Sequence, residues 1–190
     1  MNSRIYILIL LFAATFTTYA QDTHKDVHNV TIGVPEVALL DLESSKDKNI
    51  EFNIQAPTEA GSAVKITNMN YDMWINYSSI VGSKNASRSV NVQITDGKVA
   101  DGLQLYIYAW GDAKGGSGQM GSSSKYLMKL SGTEAISIIT GIGSAYTGNG
   151  PNKGHRVLYY LTKSSDKDYY SKLNSDQSET LTITYTLTDD

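Results

Sequence analysis

The segment "TLTITYTL" (180–187) alternates with period two. Leu181, Ile183, Tyr185 and Leu187 fall on one side, and Thr180, Thr182, Thr184 and Thr186 on the other. Successive side chains of a strand point to opposite faces, so this pattern demands a strand with one buried and one wet face. The same period recurs in "VTIGV" (30–34), "IEFNIQA" (50–56), "SVNVQIT" (89–95) and "LQLYIYA" (103–109). The residue types agree, because Val, Ile, Thr and Tyr fit a pleated sheet. Further strands are expected at 37–42, 63–68, 73–81, 126–130, 135–140 and 156–162. About ten or eleven short strands separated by Gly/Asn/Asp/Ser breaks predict an all-β chain, an antiparallel β-sandwich or barrel. Helical content is expected only as a turn or two within 165–175.

Residues 1–20 read as a secretory signal. Arg4 begins it, Ile5 to Phe16 form an apolar and threonine run too short for a bilayer span, and Thr18-Tyr19-Ala20 suits cleavage before Gln21. The remainder, 21–190, is expected to be one domain, exported, with no membrane span. The whole chain carries 16 Lys+Arg against 19 Asp+Glu, and loss of Arg4 moves the net charge from −3 to −4. An acidic exported chain lacks the basic stripe that nucleic acid requires. With no cysteine, thiol catalysis, disulfides and Cys-based zinc sites are excluded. A chain of this length can bury enough surface to fold without disulfides.

The stretch "GSGQMG" (116–121) matches the G-x-G-x-x-G of a dinucleotide turn. That turn must open a helix whose N–H groups meet the pyrophosphate. Fewer than ten residues separate Gly121 from the next turn at Ser131-Gly132, and "AISIIT" follows as a strand. The motif is therefore expected to be a flexible Gly/Ser connection, with no cofactor.

Other constellations have plainer readings. Asp22, His24, Asp26 and His28 alternate, as metal ligands on an extended chain would, yet no third cluster supports them. They are expected to be a polar terminus. His155, in "GNGPNKGH", is expected on a loop, and no G-x-S-x-G elbow accompanies it, so no catalytic residue is assigned. Asp166, Asp168, Asp176 and Glu179 crowd one loop without the EF-hand order, which predicts solvated acids and no metal site. Three N-x-S/T sequons occur, at Asn29, Asn76 and Asn85.

The outward positions of "LQLYIYAW" are Gln104, Tyr106, Tyr108 and Trp110. Three aromatics in a row on the wet side of a sheet suit a platform for sugar rings or an adhesive patch. The plainer reading is cross-strand packing beneath another element. Tyr106, Tyr108 and Trp110 are the candidate ligand-binding residues.

The blocks "VPEVALLDLE" (34–43), "MWINYSSIV" (73–81), the hairpin "VQITDGKVADGLQLYIYA" (92–109), "IITGIGSAYTGNGPNKGHRVLYYL" (138–161) and "TITYTLTDD" (182–190) resemble those of exported β proteins of Gram-negative bacteria, chiefly Bacteroidota. A looser similarity is to chaperone–usher pilus subunits. It implies an Ig-like fold, self-association into surface filaments, and an N-terminal segment such as 27–42 that pairs with a neighbour by strand addition. The chain departs from that pattern in lacking the pilin cysteine pair, the penultimate tyrosine and a late glycine. The expected role is a non-enzymatic structural or adhesive surface protein, the alternative being a carbohydrate-binding module.

Overall fold

A computed structural model describes residues 25–66, 69–84, 86–111 and 113–190. The signal segment 1–20, Asp22, His24 and the sequon asparagine Asn85 lie outside the described residues. The chain divides into two units, 1–34 and 35–190. Every strand among the described residues belongs to the second.

Among the described residues eleven strands form: β1 (Val37–Ser44), β2 (Ile54–Gln55), β3 (Lys65–Ile66), β4 (Met69–Ile80), β5 (Arg88–Asp96), β6 (Leu103–Trp110), β7 (Ser117–Ser123), β8 (Met128–Lys129), β9 (Ile136–Tyr146), β10 (His155–Lys163) and β11 (Thr182–Asp189). A 3-10 turn, Tyr169–Lys172, falls inside the segment expected to be helical. The fold is all-β, antiparallel and sandwich-like, as the period-two pattern requires.

Pairing runs β11-β5-β9-β4-β10-β6-β8, with β1 added to β4 and β7 to β9, while β2 and β3 pair only with each other. β4 connects two groups of strands. Its Met69–Ile75 portion pairs with β10, and only Ser78 and Ser79 pair with β9. One group is β1-β4-β10-β6-β8 and the other β7-β9-β5-β11. Inward residues from both, among them Ile75, Ile107 and Val157 with Val90, Val92, Ile139 and Ile142, form one fully buried cluster.

β11 behaves as its alternation dictates. Ile183, Tyr185 and Leu187 pack against the core. Thr184 meets Thr95 across the strand pair at 2.8 Å, and Thr188 accepts from Asn91 at 2.6 Å.

Several expectations need correction. The glycine motif is not a flexible connection: it is β7, paired along β9. Gly118 and Gly121 have φ of 99° and 72°, and a Cβ would lie 2.2 Å from the Ser144 carbonyl oxygen and 2.5 Å from that of Thr140. The glycines let one backbone press against another across a bulged ladder. Residues 92–109 are not a hairpin. Both edges of β5 are taken, by β11 and β9, so the chain crosses to pair β6 with β10 and β8. The expected strand 30–34 has no ladder, and Val30, Ile32 and Val34 stand exposed. Period two gives a segment an apolar side but not a neighbour. The expected strands 50–56 and 63–68 shrink to β2 and β3, while β9 runs six residues past the expected end at Thr140.

The core also holds phenols. Tyr159 and Tyr185 hydrogen-bond through their hydroxyls, and Tyr77 donates to the Met120 carbonyl. Burial pushes Tyr159 up to about 12, and burial also raises Tyr77 and Tyr185. In the unfolded chain these phenols ionise near pH 10. Their contribution is therefore complete below about pH 10 and is lost as pH rises through 12. Urea midpoints measured from pH 8 to 12 are expected to fall steeply above pH 10. A profile that stays flat to pH 12 contradicts the burial of these hydroxyls.

Candidate binding face

β6 alternates cleanly. Leu105, Ile107 and Ala109 are buried, and Tyr106, Tyr108 and Trp110 point away from the core. Both tyrosines are half-buried, and Trp110 is 54% exposed. The three candidates therefore share one face, as expected. Sequence reasoning missed what the neighbouring strands add to it.

The register supplies the additions. Tyr160 on β10 stands between Tyr106 on β6 and Met69 on β4, and Lys129 on β8 lies on the far side of Tyr106. This makes a rung of Met69, Tyr160, Tyr106 and Lys129 across four strands. Leu158 faces Tyr108 on the next rung. Arg156 stands between Trp110 and Trp74, with Glu43 of β1 beyond Trp74. The period-two signal in "HRVLYYLTK" does mark Arg156, Leu158 and Tyr160 as co-facial. Only strand order tells that they adjoin β6.

Local contacts fix the side chains. Tyr106 and Tyr160 rings lie 6.4 Å apart at 48°, and the Tyr106 hydroxyl donates to Gln104 at 2.7 Å. The Arg156 guanidinium lies 5.1 Å from the Tyr71 ring centroid and 5.6 Å from that of Trp74. Its Nε donates to the Tyr71 carbonyl at 2.7 Å. Trp74 is almost fully buried, while Met69 and Tyr71 are exposed. A pocket of about 300 Å³ is lined by Ile94, Leu105 and Leu130 of the core with Val99, Leu103, Gln104 and Lys129, and none of the aromatic rings of the face lines it. The arrangement offers several rings at fixed tilt, held from below by a packed sheet, with cations among them. Rings of this kind bind apolar sugar faces and other flat surfaces.

No family model matches the chain, and neither the curated proteins nor the solved structures compared with it gave a match.

The other sequence candidates resolve as structure. His155 is not on a loop: it opens β10 and is fully buried. Its Nδ1 lies 2.9 Å from the Gly111 carbonyl oxygen, and its Nε2 lies 3.0 Å from the Tyr77 hydroxyl and 3.3 Å from the Met120 carbonyl oxygen. The imidazole stacks on Tyr77 at 17°. It ties β4, β7 and β10 together, and no carboxylate or serine hydroxyl hydrogen-bonds to it among the described residues. Asn76 is also buried, accepting from the Gly154 amide and donating to the Gly150 carbonyl, so this sequon is closed within the fold.

In the acidic loop, Asp166 pairs with Lys172. The hydrogen bond from Lys172 and that from the Asp168 amide hold the Asp166 carboxyl below its ordinary range. Among the described residues no group of three or more His, Cys, Asp or Glu is arranged to hold a metal. Nor is any described helix long and apolar enough to cross a membrane.

Proposed function

We propose that this chain is an exported, non-enzymatic adhesive protein that binds glycans through the aromatic face of β6 and β10. The observation that supports it most is the continuation of Tyr106, Tyr108 and Trp110 onto Tyr160 and Leu158 of β10 and the exposed Tyr71 of β4. A lone aromatic strand is explained by cross-strand packing, but rings left partly exposed on several strands present a surface. Stacking on such rings contributes binding without any catalytic group.

A second reading, assembly by strand addition, draws on a different observation. Val30, Ile32 and Val34 carry a strand pattern, are 71%, 85% and 73% exposed, and lack a ladder. The donor segment of that reading is shorter than 27–42, because 37–42 are already paired with β4 as part of β1.

One set of proteins tests both: the wild type, a Tyr106→Ala/Trp110→Ala double variant, and a deletion of 25–34. Polysaccharide pull-down and affinity electrophoresis are expected to show at least about tenfold weaker glycan binding for the double variant. Wild-type binding to no polysaccharide, or unchanged binding by the double variant, removes the glycan reading. Detergent-resistant oligomers of the wild type that vanish in the deletion support strand addition. A wild type that is monomeric throughout removes that second reading.

A further inference from the structure

The chain places two arginines in its strands, and they are used in opposite ways. Arg88 is buried, and its guanidinium is consumed by Asp189, Glu36, Ser79 and the carbonyls of Val37 and Ile80. Arg156 lies at one end of the candidate face, in the row of Trp110 and Trp74. Its Nε is bonded to the Tyr71 carbonyl, and its guanidinium carbon lies over the Tyr71 and Trp74 rings. Among the described residues its terminal nitrogens have no acceptor and no carboxylate pairs with it. A guanidinium held by such a bond and set against two rings is restrained, and its two terminal nitrogens carry N–H donors of the spacing a carboxylate accepts.

The surroundings sharpen the point. The chain as a whole is acidic, net −3, yet the cross-strand rows of this face carry Arg156 and Lys129. The one carboxylate in those rows is Glu43, two strands away from Arg156 beyond Trp74. Arg156 and Lys129 are separated by four residues along the sheet and two strands across it. At about 3.3 Å per residue and 4.8 Å per strand, this is about 16 Å. One monosaccharide does not span that distance, but a short run of a polymer does.

We propose that the ligand of this face is an acidic polysaccharide, whose uronate carboxylates are taken by Arg156, and at a further repeat by Lys129, while its sugar rings stack on Trp110, Tyr108 and Tyr106. The proposal rests on the reading of this face as glycan-binding and adds the charge of the ligand to it.

The test compares polygalacturonate, alginate and hyaluronan with fully methyl-esterified galacturonan and galactomannan. Binding is measured by calorimetry and affinity electrophoresis on the wild type, Arg156→Met, Arg156→Lys and Trp110→Ala. Methionine keeps apolar contact with Tyr71 and Trp74, and thermal melts check that each variant folds. The wild type is expected to bind at least one acidic polymer about tenfold or more tighter than the neutral ones, with affinity falling as salt is raised. Arg156→Met is expected to lose that preference, and Arg156→Lys to keep part of it because the charge remains without the fork. Equal binding of acidic and esterified polymers, with Trp110→Ala weakening both, overturns the acidic ligand and leaves the face intact. Unchanged acidic binding in Arg156→Met, with the preference retained, overturns the assignment of Arg156. Trp110→Ala binding like the wild type overturns the face itself, and wild-type binding to none of the acidic polymers overturns the proposal.

Discussion

Arg88→Met is expected to lower the unfolding free energy by about 3 kcal/mol. Arg88 opens β5, is 2% exposed, and reaches three other parts of the fold. Its Nε donates to Asp189 of β11 at 2.7 Å. One terminal nitrogen donates to Val37 of β1 and to Ser79 and Ile80 of β4. The other meets Glu36. Removing the guanidinium strips donors from polar groups at the junction of these strands, and an unsatisfied buried acceptor costs more than the hydrogen bond itself contributed. The carboxylates differ. Glu36 and Asp189 are about half exposed (55% and 45%), so water reaches both carboxylates when Arg88 is removed. Glu36→Gln and Asp189→Asn are each expected to cost under about 1 kcal/mol. Urea denaturation of the three variants checks the asymmetry. Equal losses in all three would mean that the ion pairs, and not the desolvated donors, hold this junction.

Gly118→Ala is expected to destabilise the protein by about 3 kcal/mol or to prevent β7 from pairing. Two effects combine there. The φ of 99° disfavours any L side chain, and the added Cβ would meet the Ser144 carbonyl oxygen at 2.2 Å and Ala145 Cα at 2.7 Å. Gly141 separates the two. Its φ is 71°, but a Cβ there meets nothing within 4 Å. Gly141→Ala is therefore expected to cost only about 1 kcal/mol, the backbone penalty alone. Thermal and urea melts of both variants, with hydrogen exchange of the β7 amides, measure the difference. Equal costs would remove close backbone approach as the reason for glycine at 118.

The two variants probe opposite ends of what a linear pattern conveys. Strands with one wet and one dry face were readable because a single strand's environment repeats every second residue. Thus β1, β5, β6, β10 and β11 lie within two residues of their expected bounds, while β4 begins at Met69, four residues before its expected start. β7 was not readable. "SGQMGSS" has no apolar alternation, and its glycines answer to the backbone of β9, some twenty residues further along the chain. The segment 30–34 fails in the other direction, with perfect alternation and no neighbour. His155 looked like a loop residue among glycines and lysine, yet its ring is enclosed by β4, β7 and the Gly111 carbonyl.

The candidate face divides along the same line. Tyr106, Tyr108 and Trp110 share a side because residues two apart on a strand must, and that much follows from the order of residues alone. So do the all-β class, the sided strand of Ile183, Tyr185 and Leu187, and the lack of thiol chemistry. Which strands flank β6 does not follow. Pairing brings together residues about fifty positions apart, and short-range periodicity is blind to the partner. Only the tertiary structure sets Tyr160 beside Tyr106 and Arg156 between Trp110 and Trp74. It also decides that one arginine is neutralised inside the fold, while the terminal nitrogens of the other meet no acceptor among the described residues. Burial and strand register are collective properties, fixed when the apolar sides of both strand groups close on one core.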